Sequence, residues 1–108
     1  LYRDAGCVAL LYPGAFNLTT GPKHWELLQR ARALDTQAFV LTCSPARNPD
    51  ASYQAWGHST ISDPWGAVLA TTDHEPAVLT ATLDMASVAA VRTQIPTATQ
   101  LRTDVYSM

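Results

Sequence analysis

Two short, strand-like segments, the continuous apolar run 7–11 and the largely apolar 38–42, bracket a segment of helical periodicity, and no other feature restricts the possible folds as much. A run this short, closed by Gly6 and Pro13, is too brief for a core helix and reads as a buried strand. The run at 38–42 reads the same way. Between them, Thr19-Thr20-Gly21-Pro22 is a loop into a helix start, with Pro22 suited to the first turn. Residues 23–36 then carry a helix whose Leu27, Ala31 and Leu34 share one face, broadened by Trp25 and Leu28.

The remainder follows in short elements. Residues 44–52 are polar and proline-containing, hence a loop. Residues 58–62 and 67–71 flank Asp63-Pro64-Trp65-Gly66, with proline at the second turn position and glycine at the fourth, which predicts a hairpin. Alternation over 77–83 predicts another strand. Asp84 is expected to cap a helix through Ile95, with Val88, Val91 and Ile95 on one side and Pro96 as its stop. Residues 100–108 form a tail. At the other end, residues 1–5 read as the tail of a helix with Gly6 as its C-cap, so upstream sequence is expected. The order strand, helix, strand, strand, strand, helix gives an α/β or α+β fold, one sheet covered by helices. A length of 108 residues fits one domain or a piece of one.

Composition removes several functional classes. With 47% apolar and 15% charged residues the chain suits a folded core and not a disordered segment. A net charge of -2, with the seven Lys and Arg scattered, provides no footprint for nucleic acid. No apolar run approaches the roughly 18 residues of a membrane-spanning helix, and no signal-peptide pattern opens the chain. Cys7 and Cys43 lack CxxC or metal spacing and lie in apolar runs, so no metal is expected and a reducing, cytoplasmic compartment is favoured. A mitochondrial location stays open should a targeting segment precede Leu1.

The catalytic candidates are thin. Cys43, at a strand end, would need a base, for which His24, His58 and Arg47 are the candidates; a plain buried cysteine is favoured. Gly57-His58-Ser59 lacks the GxSxG elbow that exposes a serine nucleophile. The acidic residues sit at turns, caps or a solvated helix face, with no paired carboxylates. Trp56, Trp65 and Tyr53 lack a surrounding basic groove, so packing and turn roles are expected. Alone, these features describe a folded domain without a reaction.

A set of motifs in one register adds what chemistry alone does not. Tyr12-Pro13-Gly14-Ala15-Phe16-Asn17 is followed by Thr19-Thr20-Gly21-Pro22 and His24-Trp25, then Leu28, Arg30-Ala31-Arg32-Ala33 and Asp35. Ser44-Pro45-Ala46-Arg47, Trp56-Gly57-His58-Ser59 and Pro64-Trp65-Gly66 come next, and Val91-Arg92, Ile95-Pro96, Gln100, Asp104 and Tyr106 close the series. The ordered set resembles the nitrilase superfamily of carbon-nitrogen hydrolases, and its Tyr-Pro-Gly-Ala-Phe-Asn and Ser-Pro-Ala-Arg forms are similar to the omega-amidase branch.

The resemblance implies the C-terminal part of a four-layer α-β-β-α sandwich, with a mixed sheet and helices on one face. It makes residues 1–108 a partial carbon-nitrogen hydrolase domain, with a core to about residue 96 and a tail over 97–108. It implies hydrolysis of the side-chain amide of alpha-keto acids such as alpha-ketoglutaramate and alpha-ketosuccinamate through a Cys-Glu-Lys thioester mechanism, with no cofactor. None of the triad maps onto this chain. Cys7 matches a structural cysteine, Cys43 a position outside the triad, and Lys23, the only lysine, a helix start. The chain alone is therefore expected to be inactive. Phe16, Asn17 and Thr19 are the implied pocket residues. Arg47 either pairs with a substrate carboxylate or pins its loop through backbone carbonyls. The helix over 22–36 is the implied homodimer surface. The competing reading is a non-catalytic, truncated relative serving as a structural or interaction module.

Overall fold

The computed structural model describes residues 1–102, 104 and 105, so Tyr106 of the motif series lies outside the described residues. The first residues make one helical turn that Gly6 ends. At φ +86° Gly6 donates its N–H to the Arg3 carbonyl, while Cys7 donates to that of Tyr2. That pair of bonds is the Schellman ending, which places glycine where a left-handed backbone is required.

Strand β1 (Ala9–Pro13) follows, then helix α1 (Gly21–Thr36) and strand β2 (Phe39–Cys43), which runs parallel to β1. Strands β3 (Thr60–Ser62) and β4 (Val68–Thr71) complete a mixed sheet in the order β1-β2-β3-β4, its last two pairings antiparallel. The predicted α/β class with a mixed sheet is the observed one. The predicted hairpin is present too. Asp63 accepts the N–H groups of Trp65 and Ala67 on one carboxylate oxygen, and Gly66 turns the chain at φ +76°. Strand β3 begins at Thr60 and not at His58, because Gly57 and His58 both lie in the left-handed region, at φ +78° and +59°.

Helix α1 turns a different side to the sheet from the one its leucines suggest. Trp25, Gln29 and Ala33, spaced by four, are buried, whereas Leu27 is 64% and Leu34 52% exposed. Trp25 sets this rotation. Its indole N–H donates to the His58 carbonyl at 2.6 Å, and its ring meets Phe16 edge-on with centroids 5.1 Å apart. At the first turn, Trp56 packs where any side chain on Gly21 would have to be. With both tryptophans seated, Leu27 falls on the outer side, and Leu34, half-exposed, rests its side chain against Gly66 of the turn between β3 and β4. Leu10 and Val40 meet Ala33 beneath the helix.

Other expectations are corrected. Residues 7–11 do not form a strand buried on both faces: β1 starts at Ala9, lies at the sheet edge, and leaves Leu11 74% exposed on the face away from α1. Among the described residues, 77–83 pair with no strand. Their alternation survives as facing alone, Ala77 and Leu79 bordering a hollow with Leu11, Leu41 and Ile61 while Val78 points outward, 93% exposed. Alternation specifies sides, and a ladder also requires a neighbouring strand edge.

Helix α2 (Ala86–Gln94) starts just beyond Asp84, whose carboxylate accepts the Ala86 N–H, and it buries Val88 and Val91. Ile95, expected on the same side, lies beyond the helix and is partly exposed. Arg92 donates to the Cys7 carbonyl at 2.7 Å and Gln37 to that of Ile95 at 2.6 Å, tying α2 to the start of β1 and the end of α1. A four-residue helix, α3 (Thr97–Gln100), follows, and Arg3 reaches Thr97 across the chain.

The molecule is a thin slab of 54 × 32 × 20 Å. Its radius of gyration, 15.9 Å, exceeds the roughly 13 Å of a compact domain of about 100 residues. A depth of 20 Å holds one sheet and one layer of helix.

Two substitutions probe this packing. Trp25→Phe keeps the ring burial and removes one of the two donors to the His58 carbonyl, the other being the Thr60 hydroxyl at 2.7 Å, so chemical denaturation should show a loss of about 0.5–1.5 kcal/mol. Gln29 is only 4% exposed, and neither its amide nitrogen nor its amide oxygen has a hydrogen-bond partner. Gln29→Met, of similar shape, should therefore raise the denaturation midpoint; a lowered midpoint would show that the amide is satisfied in solution.

Candidate functional site

The Pro64-Trp65-Gly66 turn lies at one end of the sheet. At the opposite end, beyond the C-terminal ends of the parallel strands β1 and β2, two of the motif-bearing loops meet, over residues 14–20 and 44–59. Open α/β sheets bind ligands at such ends, because loops leaving parallel neighbours diverge there. Gly14 donates its N–H to the Cys43 carbonyl, holding the two strand ends together as the loops depart.

Phe16, Asn17 and Thr19 lie on the loop from β1 into α1. Asn17 is fully engaged in shaping it. Its side-chain oxygen accepts the N–H groups of Thr19 and Thr20 at 3.0 and 2.9 Å and the Thr20 hydroxyl at 3.0 Å. Its main-chain carbonyl accepts the Gly21 N–H. Asn17 thus organises the turn that starts α1, a task for which a short side-chain carbonyl is suited. Phe16 is half-buried and, with Tyr12, Trp25, Leu28, Gln29, Arg32 and Thr42, lines a hollow of about 230 Å³ on the α1 side of the sheet. Thr19 is exposed and borders none of the described hollows.

Arg47 sits on the loop between β2 and β3. Its Nε donates to the Ala55 carbonyl at 3.0 Å and its Nη2 to the Trp56 carbonyl at 3.1 Å. The guanidinium carbon lies 5.7 Å from the centre of the Trp56 ring. Of the two roles expected for Arg47, the pinning of its own loop is the one whose contacts are present. This second loop meets the first directly. Asn17 and Ala55 form an isolated antiparallel bridge, Trp56 donates its N–H to the Phe16 carbonyl at 2.6 Å, and the Tyr53 hydroxyl donates to that of Ala15 at 3.1 Å. Phe16, Asn17 and Arg47 therefore belong to one cross-linked wall, with Thr19 at its margin. Sequence reading assigned Tyr53 and Trp56 to packing and missed their bonds to the first loop. Nothing in the local pattern pairs residues so far apart.

Cys43 departs from expectation, being exposed at the end of β2. The hollow of about 430 Å³ beside it is lined by Leu11, Pro13, Leu41, Ile61 and Leu79 among others, with no acidic, basic or imidazole side chain. None of the residues lining that hollow is a base that could take the thiol's proton. Cys7 is half-buried against the cluster under α1. Among the described residues no group of three His, Cys, Asp or Glu side chains could hold a metal ion, and no helix is long and apolar enough to cross a membrane.

Asp104 is held below the usual carboxylate range by its hydrogen bond with Arg102, and it lies outside the wall.

Residues 2–93 match the carbon-nitrogen hydrolase family. Over all 108 residues the chain is 58% identical to omega-amidase NIT2 of Xenopus tropicalis, and it spans 39% of that relative's length. Among solved structures, Nit3 of Saccharomyces cerevisiae, described as a member of branch 10 of the nitrilase superfamily, superposes with a TM-score of 0.88 at 43% identity, covering 93% of this chain and 37% of that one. The NitFhit protein of C. elegans superposes with a TM-score of 0.91 at 36% identity, covering 97% of this chain and 26% of its own. The match to the family covers most of the chain, including both loops of the wall, and the chain belongs to the carbon-nitrogen hydrolase family.

Proposed function

We propose that the chain is the C-terminal portion of an omega-amidase-like carbon-nitrogen hydrolase. In that protein it supplies one wall of the substrate pocket and a dimer surface, and the catalytic residues lie outside it. Its match to an omega-amidase over the full length of the chain carries the proposal. Two features of the structure support it: two motif-bearing loops cross-linked at the parallel strand ends, and a slab one sheet and one helix deep, which is half of an α-β-β-α sandwich.

The reaction proposed for the whole protein is hydrolysis of the side-chain amide of alpha-ketoglutaramate or alpha-ketosuccinamate. A cysteine thiolate attacks the amide carbon, and a glutamate passes a proton to the leaving nitrogen, so that ammonia departs and a thioester remains. Water, deprotonated by the same glutamate, then cleaves the thioester to carboxylate and thiol, a lysine holding the oxyanion in both steps. No cofactor enters this scheme. Phe16, Asn17, Thr19 and Arg47 belong to the wall that this chain contributes. The protein is assigned to the cytoplasm.

The homodimer surface is the outer side of α1, where Leu27 stands exposed and Leu34, at the edge against Gly66, is half-exposed, on a helix whose other side is already packed on the sheet. Large apolar side chains on the unpacked side of a helix are suited to a partner.

The 108-residue chain alone should release no ammonia from alpha-ketoglutaramate, while a longer protein carrying the triad should release it; turnover by the chain alone that disappears in Cys43→Ala would overturn this division of labour. In the longer protein, Leu27→Asp combined with Leu34→Asp should convert a dimer to monomer in sedimentation velocity. An unchanged sedimentation coefficient would place the interface elsewhere.

A further inference from the structure

We propose that Arg47 is a positioning residue that latches the pocket loop in place, and that it does not bind the substrate's carboxylate. The proposal rests on the amidase function proposed above, and its geometry stands on this chain alone. An arginine offers its Nε–Nη2 edge as two parallel donors, the edge best shaped for a carboxylate. Here that edge is occupied by two consecutive carbonyls, those of Ala55 and Trp56, at 3.0 and 3.1 Å. Withdrawing this edge toward a ligand would leave both carbonyls without the donors they now have.

The two residues it holds are those that hold the pocket loop. Ala55 bridges Asn17, and Trp56 donates to the Phe16 carbonyl at 2.6 Å. The Trp56 ring fits against Gly21 at the start of α1 and stacks on the His58 ring, with centroids 4.3 Å apart. Arg47 is itself anchored at the far side, its main-chain N–H donating to the His74 carbonyl at 2.8 Å. A continuous series of contacts therefore runs from the segment after β4, through Arg47, to Ala55 and Trp56, and on to Phe16, Asn17 and the first turn of α1. Lysine cannot substitute. Its ammonium can approach one carbonyl as a point charge, but it cannot span two in a plane or lie flat against an indole.

The test uses Arg47→Ala, Arg47→Lys and Tyr53→Phe. The first two remove or weaken the latch. The third deletes only the exposed hydroxyl that donates to Ala15, a milder cut in the same wall. In the 108-residue chain, hydrogen exchange of the Trp56 amide should accelerate about tenfold or more in both Arg47 variants and less in Tyr53→Phe, because its acceptor on the pocket loop is no longer held. In the longer enzyme acting on alpha-ketoglutaramate, kcat should fall roughly ten- to a hundredfold in both Arg47 variants, with KM changing far less. A rise in KM at unchanged kcat, partly restored by lysine, would identify a carboxylate ligand and overturn the proposal, as would unaltered exchange at Trp56. A wild-type longer protein inactive on this amide would remove the amidase function, and the exchange measurement would still decide the latch.

Discussion

The rotation of α1 on the sheet is the constraint on which the other parts depend, and Trp25 fixes it. One buried indole does three things: it fills the space over the strand ends, donates its N–H to the His58 carbonyl, and meets Phe16 edge-on. The first ties the helix to the sheet, the second to the segment entering β3, and the third to the loop that precedes the helix. A helix held at three points cannot turn to bury its leucines without giving up all three contacts. Leu27 is outward and Leu34 half-exposed for that reason, and the surface proposed for a partner is a consequence of where the tryptophan sits.

The wall at the strand ends is built on that anchor. Asn17 uses its side chain to start α1, so the pocket loop and the helix are one unit. The second loop reaches the first through main-chain atoms, at Trp56 to Phe16 and Ala55 to Asn17, and through the Tyr53 hydroxyl. Main-chain bonds between two loops are precise only if each loop is itself held. Arg47 supplies that hold on one side and the Trp56–Gly21 contact on the other. Among the described residues the opposite face of the sheet has no comparable cover: Leu11, Leu41 and Ile61 border a hollow shared with Ala77 and Leu79. Apolar rows of this kind normally pack against a second layer, as the two-layer depth of the slab also suggests.

Much of the fold was legible because the elements announce themselves locally. The Gly6 ending, the Asp63–Gly66 turn, the Pro22 helix start and the apolar runs each depend on residues only a few positions apart. The errors occurred where burial depends on what lies across space. Leu27 and Leu34 have the spacing of a buried stripe, but Trp25 occupies the place that would bury them. Residues 77–83 have the alternation of a strand without a strand to pair with, and Cys43 ends an apolar run yet stands at the surface. The site was legible as a set of motifs and not as a mechanism. Arg47 had two roles with equal claim in the sequence, and only the positions of two carbonyls distinguish them.

The sequence by itself determined the family, the mixed α/β class, the turns and the helix ends, because those depend on residue identity and short-range stereochemistry. The tertiary structure decided which face of α1 is buried, which loops touch, and what Arg47 holds. Those outcomes depend on contacts between residues far apart in the chain, such as Trp25 with His58 and Tyr53 with Ala15, whose distances no local pattern encodes.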